Sequence, residues 1–202
     1  AQVGGGLCPL TGELKAAVRA RADELNGQGM RVLAVAQKVL PEGRAVSCED
    51  ETDMVLIGYL AFLDPPKETT AEAISRLHSL GVAVKILTGD NEKVTACICR
   101  KVGLSGGSIL LGSDLENLND EQLAAAAQKA TVFAKLSPAQ KERVVRALRE
   151  RGHVVGFMGD GINDAPAMRA ADVGISVDTA ADIAKESAGV ILLGKNLAVV
   201  PG

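Results

Sequence analysis

The chain has no tryptophan, and aromatic residues make up only 2% of its 202 positions. Any core must therefore be assembled from Val, Leu, Ile and Ala, and the 47% hydrophobic content is ample for one. Long apolar runs are also missing. Nothing approaches the roughly 20 consecutive apolar residues that a membrane-crossing helix requires. The uncharged run Met54 to Leu63 is short and reads as a buried strand. No secretory leader is recognisable, the first residue is Ala1 rather than Met, and Pro201-Gly202 follows directly on an apolar run. Both ends are expected to be cuts in a longer polypeptide.

A large excess of one charge is absent too. The net charge of −3 and pI near 5.5 argue against a nucleic-acid or anionic-membrane partner. The most basic stretch, Lys141 to Arg151 (KERVVRALRER), carries Glu142 and Glu150 at helical spacing and reads as a solvated helix face. His78 and His153 are isolated, and each is expected at a surface or strand edge. Cys8, Cys48, Cys97 and Cys99 lack the spacing and the nearby histidine of a zinc set. They are expected to be reduced thiols in a cytosolic compartment.

What the chain does have is a regular alternation of strand-like and helix-like segments. Thr11 caps a helix that Gly27 and Gly29 stop, and Met30 to Leu40 and Asp53 to Leu63 read as strands around a polar loop. Asp64-Pro65-Pro66-Lys67 follows. Two prolines fix φ and remove two donors, so this is a stiff connector and the expected domain boundary. Beyond it the pattern predicts helices over 68–80, 91–102, 119–129, 137–151 and 179–187, with a short one opened by Asp164 and Pro166. Strands are predicted over 82–87, 109–111, 131–134, 154–158, 173–176 and 190–193. Such alternation implies an α/β fold with a parallel sheet covered on both faces.

Two of the turns carry chemistry. Thr88-Gly89-Asp90 and Gly159-Asp160-Gly161-Ile162-Asn163-Asp164-Ala165-Pro166 each close an apolar run and precede a helical pattern. The carboxyl ends of strands in an open parallel sheet are where such folds bind ligands. The first turn alone could be a helix start capped by Asp90 or Asn91; it could also offer the Thr88 hydroxyl and backbone amides to a phosphate. The second turn concentrates Asp160, Asn163 and Asp164 beside two glycines. Clustered carboxylates repel unless a cation offsets them, and Mg2+ takes one or two carboxylates while keeping several waters. Asp160 is the better metal ligand because the strand ends there. Asp164 is placed as a supporting group or helix cap. Lys141, one helical turn after Ser137-Pro138, becomes interesting only beside a phosphate pocket and a metal.

Taken together, DPPK (64–67), TGDN (88–91), FAKLSPAQK (133–141) and GDGINDAP (159–166) resemble the haloacid-dehalogenase-type phosphotransferase domain of P-type cation-transporting ATPases. GMRVLAVA (29–36) resembles the end of that family's nucleotide-binding domain. The likeness runs in order from Leu25 to Val199 and is closest to bacterial magnesium-transporting pumps. It implies a Rossmann-like parallel sheet of the haloacid-dehalogenase type in residues 64–202, the distal part of a phosphorylation domain. Residues 1–63 would be a remnant of an α+β nucleotide-binding domain. Thr88 and Gly89 would hold the transferred phosphoryl group, with Asp90 close to the nucleotide. Lys141 would offset phosphate charge. Asp160, with Asn163 and Asp164, would complete the Mg2+ site. Arg31 and Lys135 would reach ATP, and Asp64, Pro65, Pro66 and Lys67 would form the hinge. At Lys135 and Lys67 some relatives carry Arg, whose planar fork Lys lacks.

The implied partners are ATP, the cofactor Mg2+ and a transported cation, Mg2+, handled by transmembrane segments in a bacterial inner membrane. The family's nucleophilic aspartate lies in an Asp-Lys-Thr-Gly-Thr run, which does not occur in this sequence. The chain alone is accordingly expected to be inactive and of low stability, its sheet lacking a central strand. A soluble phosphatase of the same superfamily, or a non-catalytic Mg2+- or phosphate-binding module, would carry many of the same residues. The first of these would need its own N-terminal nucleophilic Asp, and residues 1–22 contain none.

Overall fold

The computed structural model describes residues 1–3, 6–43, 45–104 and 107–193. The chain forms two compact units that divide between Asp64 and Pro65. The last residues of the family resemblance, 194–199, and the terminal Pro201-Gly202 lie outside the described residues.

Unit 1 begins with a minimal antiparallel pair, β1 (Gln2–Val3) and β2 (Gly6–Leu7). Helix α1 (Gly12–Gly27) follows, with the Thr11 hydroxyl accepting from the Leu14 amide at 3.3 Å, as its sequence position predicts. Gly29, at φ 88°, makes the left-handed turn into β3 (Met30–Gln37). This strand pairs antiparallel with β4 (Val55–Leu63), with a register shift at Val35/Ala36. α1 covers one face of the hairpin, and the Tyr59 hydroxyl donates to the Val18 carbonyl at 2.7 Å. Leu33 pairs with Leu60 and Arg31 with Phe62, so these four share the other face. Leu33, Leu60 and Phe62 are half exposed there, at 53%, 53% and 50%. The expected buried strand from Met54 to Leu63 is thus a strand over Val55–Leu63, and not a buried one. A two-stranded hairpin has two faces, and α1 covers one of them.

Unit 2 contains α2 (Thr70–Ser79), β5 (Ile86–Leu87), α3 (Glu92–Lys101), β6 (Ser108–Leu111), α4 (Gly112–Glu116), α5 (Asp120–Lys129) and β7 (Ala130–Ala134). It continues through α6 (Pro138–Glu150), β8 (Gly156–Met158), α7 (Ala165–Ala170), β9 (Val173–Val177), α8 (Asp182–Ser187) and β10 (Val190–Leu192). The strands form two three-stranded parallel sheets, ordered β5-β7-β6 and β10-β9-β8. Two of the helix starts are closed by reciprocal side-chain caps. Ser137 accepts from Gln140 N at 3.3 Å and Asn119 from Gln122 N at 2.9 Å, and each glutamine side chain returns the bond.

Two predicted strands are shorter than their apolar runs. Val82–Lys85 and Val154–Val155 lie outside the ladders, which begin at Ile86 and Gly156. These are the segments leading into β5 and β8, and each of those strands has one neighbour among the described residues. Val155 still carries hydrogen bonds, its carbonyl accepting from Asp172 N and Val173 N and its amide donating to Asp172 Oδ2, but these do not extend the ladder. Helix α4 is a further departure, in a segment for which the sequence pattern predicted no element.

The core is mostly aliphatic, but two of the three phenylalanines and Met168 are buried in it as well. Phe133, Leu115, Leu123 and Val144 are fully buried in one cluster; Phe157, Met168, Ala167 and Val145 form a second. Helix α6 feeds both, with Val144, Ala147 and Leu148 in the first and Val145 in the second. Leu87 and Val155 pack against both clusters. Removing the Phe133 ring, which is 0% exposed, should destabilise unit 2 by about 3–5 kcal/mol. Leu33→Ala, at a half-exposed position of unit 1, should cost about 1 kcal/mol or less. Urea unfolding followed by circular dichroism measures both.

Candidate active site

The carboxyl end of β5 is laced to the carboxyl end of β7. The pairing Leu87–Phe133 continues past the strands: Thr88 N donates to Phe133 O at 2.9 Å, Leu136 N to Thr88 O at 3.0 Å, and Lys135 N to Asp90 O at 2.9 Å. This draws the Thr88-Gly89-Asp90 turn and Lys135 together, although they are far apart in sequence. Within the turn, Thr88 Oγ1 accepts from Asp90 N at 3.1 Å, which leaves its hydroxyl proton to donate elsewhere. Asn91, not Asp90, caps α3, accepting from Lys93 N at 2.8 Å.

Lys135 sits in the left-handed region at φ 54°, an unusual place for a non-glycine residue. Its backbone is hemmed in. A Cβ on Gly112 would come within 2.5 Å of the Lys135 carbonyl oxygen, so α4 can start this close only with glycine there. Gln140 closes the corner, its Nε2 donating to Gly112 O at 2.9 Å. The Lys135 ammonium pairs with Glu92 at 2.8 Å, and hydrogen bonding to Lys135 holds the Glu92 carboxyl below the usual glutamate range.

The second half of the site hangs on Lys141, in the first turn of α6. Its ammonium lies 2.7 Å from Asp164 Oδ1, and both side chains are largely buried, at 12% and 16% exposure. The other Asp164 oxygen accepts from Gly161 N at 3.3 Å, closing the tight turn Ile162–Asp164. Asp164 therefore does not cap α7 with its side chain, as one sequence reading had it. Gly159 is required by close approach, since a Cβ there would fall 2.6 Å from Asp164 Cβ. Asp160, at the end of β8, and Asn163 are exposed. Among the described residues no three His, Cys, Asp or Glu side chains gather as a metal site. Mg2+ does not need such a cluster. With Asp164 engaged by Lys141, the donors fit an ion held by Asp160, water and a phosphate oxygen.

The structure thus brings Thr88, Gly89, Asp90 and Lys135 together at one strand end, and Lys141, Asp160, Asn163 and Asp164 at another. Arg31 lies on β3 in unit 1, and Asp64 to Lys67 are irregular backbone at the division between the units. Glu92 and Gln140 were missed from sequence. Both sit in the first turn of a helix, and their contacts with Lys135 and Gly112 join residues far apart in the chain, which no local pattern signals.

This arrangement, with a threonine turn, a lysine and an acidic loop at the carboxyl ends of parallel strands, is that of an α/β protein of the Rossmann-like class. The chain belongs to the haloacid dehalogenase-like hydrolases, whose family pattern it matches over residues 11–172. Within that family it is 56% identical over 198 residues to the magnesium-transporting P-type ATPase 1 of Salmonella typhimurium. The protein of the same name from Escherichia coli K12 is 55% identical over 197 residues. A calcium-transporting ATPase of Listeria monocytogenes is 35% identical over 191 residues. The first two matches cover 97% of this chain and 22% of the relative, so the chain spans about a fifth of their length. Among the described residues no helix is long and apolar enough to cross a membrane.

Two outcomes are expected. Lys141→Met strands a largely buried Asp164 carboxylate and should destabilise unit 2 by about 1–3 kcal/mol; adding Asp164→Asn should recover part of the loss in a double-mutant cycle. Glu92, with its folded-state ionisation lowered, stabilises the fold above the unfolded glutamate range and loses that contribution as pH falls through the folded value. The advantage of the wild type over Glu92→Gln in urea unfolding should therefore be present at neutral pH and vanish in acid.

Proposed function

We propose that this chain is part of a P-type cation-transporting ATPase, that residues 64–202 form the distal part of its phosphorylation domain, and that residues 1–63 come from its nucleotide-binding domain. The transported ion is Mg2+, carried into the cytoplasm across a bacterial inner membrane. The observation that carries this reading is the 56% identity, over nearly the whole chain, to a magnesium-transporting pump, against 35% to a calcium pump.

In the proposed reaction an aspartate oxygen attacks the γ-phosphorus of ATP, the bond to ADP breaks, and water later hydrolyses the aspartyl phosphate. Bound Mg2+ would neutralise charge on the phosphoryl oxygens. The chain's own residues would do the positioning. The Thr88 hydroxyl and Gly89 amide would hold phosphoryl oxygens, and Asp160 would ligate the ion with Asn163 beside it. Lys141, oriented by Asp164, would offset phosphate charge. Arg31, on the half-exposed apolar face of its hairpin, and Lys135 would approach the nucleotide, with Asp90 near it. Asp64 to Lys67 would serve as the hinge.

The nucleophile is assigned to an Asp-Lys-Thr-Gly-Thr run upstream of these residues. Supporting this, β5 and β8 each have a strand on one side only among the described residues, and Leu87 of β5 and Val155, just before β8, pack against the same two core clusters. A strand delivering the aspartate beside Thr88 and Asp160 would pair with both.

Incubation with [γ-32P]ATP tests the proposal. A longer polypeptide encoded in frame upstream should carry the Asp-Lys-Thr-Gly-Thr run and form an acid-stable, hydroxylamine-sensitive phosphoprotein, reduced at least a hundredfold by Asp160→Asn. The 202-residue chain alone should incorporate nothing; labelling of that chain by itself would overturn the assignment of the nucleophile.

A further inference from the structure

Asp160 is useful as a ligand only if its carboxylate is aimed, and the aim of a side chain is set by its backbone. Each peptide group is a rigid plane. Fixing the planes before and after a residue fixes its φ and ψ, and with them the direction of the Cα–Cβ bond. For Asp160 both planes are held. The plane after it is gripped at both ends, its carbonyl by Ala181 N at 3.0 Å and its amide, that of Gly161, by Asp164 Oδ2 at 3.3 Å. The plane before it carries the Gly159 carbonyl, which accepts from the Ser176 hydroxyl at 2.9 Å. One step earlier, Gly159 N donates to Ile175 O at 3.1 Å and continues the β8–β9 ladder.

Ser176 is the odd residue of its strand. β9 reads Val-Gly-Ile-Ser-Val, and Ser176 is 0% exposed, one of the few buried polar residues described. A hydroxyl so placed is costly to bury without a partner. Its partner here is the one carbonyl whose orientation sets the first half of the Asp160 backbone.

We propose that Ser176 is a positioning residue for the metal-binding carboxylate: through the Gly159 carbonyl it fixes the direction in which Asp160 presents its ligand oxygens to a divalent cation. The inference rests on the reading of Asp160 as the Mg2+ ligand. It adds a residue that lies outside the Gly159–Pro166 run and beyond the 11–172 family match. Ser176 touches neither ion nor phosphate and acts only through the loop.

Mn2+ serves as the probe ion, with binding to the 202-residue chain read from the loss of the free-ion EPR signal. Three variants are compared: Ser176→Ala, Ser176→Cys and Asp160→Asn. Cysteine keeps the volume of serine but is a weak donor, so it separates packing from hydrogen bonding. Both Ser176 variants should raise the Mn2+ dissociation constant about tenfold, the scale of losses when a supporting partner of a ligand is removed. Asp160→Asn should weaken binding at least as much. Circular dichroism and thermal unfolding establish that the Ser176→Cys variant is folded. If that folded variant binds Mn2+ as the wild type does while Asp160→Asn binds weakly, the role of Ser176 falls and the reading of Asp160 stands. If Asp160→Asn binds Mn2+ like the wild type, the metal reading of Asp160 falls and takes this proposal with it.

Discussion

Much of unit 2 depends on where helix α6 is held. Its apolar residues divide between two core clusters, Val144, Ala147 and Leu148 with one three-stranded sheet and Val145 with the other. Its first turn carries Lys141, whose ammonium ties the acidic loop at Asp164. The start of the helix is in turn fixed by the Ser137–Gln140 reciprocal cap and by Gln140 reaching Gly112. A shift of α6 would disturb both cores and both halves of the candidate site. Packing interiors are dense enough that such a shift would not be absorbed locally.

The glycines around the site express the same constraint in backbone terms. Gly112 faces the Lys135 carbonyl and Gly159 faces the Asp164 side chain, each at a distance where a Cβ has no room. Lys135 itself holds a left-handed backbone without being glycine, and its own amide and that of Leu136 donate to carbonyls of the Thr88–Asp90 turn. Strain tolerated at a point where several elements converge is typical of sites whose geometry is over-determined by their surroundings.

Unit 1 presents the opposite situation. None of its described hydrophobic side chains is fully buried, and one face of the β3–β4 hairpin stays apolar and half exposed. A two-stranded hairpin under one helix is marginal by itself. The sequence read Met54 to Leu63 as a buried strand because apolar content alone does not say how many layers will be available to cover it.

By itself the sequence determined the α/β rhythm, the helix starts at Thr11, Asn119 and Ser137, and the two turns that carry polar chemistry, while it left the cap of α3 open between Asp90 and Asn91. Those are local properties: a capping hydroxyl, a proline ring or a β-branched run acts within a few residues of itself. Only the tertiary structure decided which strands found partners, shortening β5 and β8 where no second neighbour lies alongside among the described residues. It also decided that Asp164 would turn to Lys141 rather than cap α7, and that Glu92, Gln140 and Ser176 would reach groups far along the chain. Ladder partners, ion pairs across 23 residues and buried hydroxyls depend on where other elements come to rest, and no window of sequence contains that information.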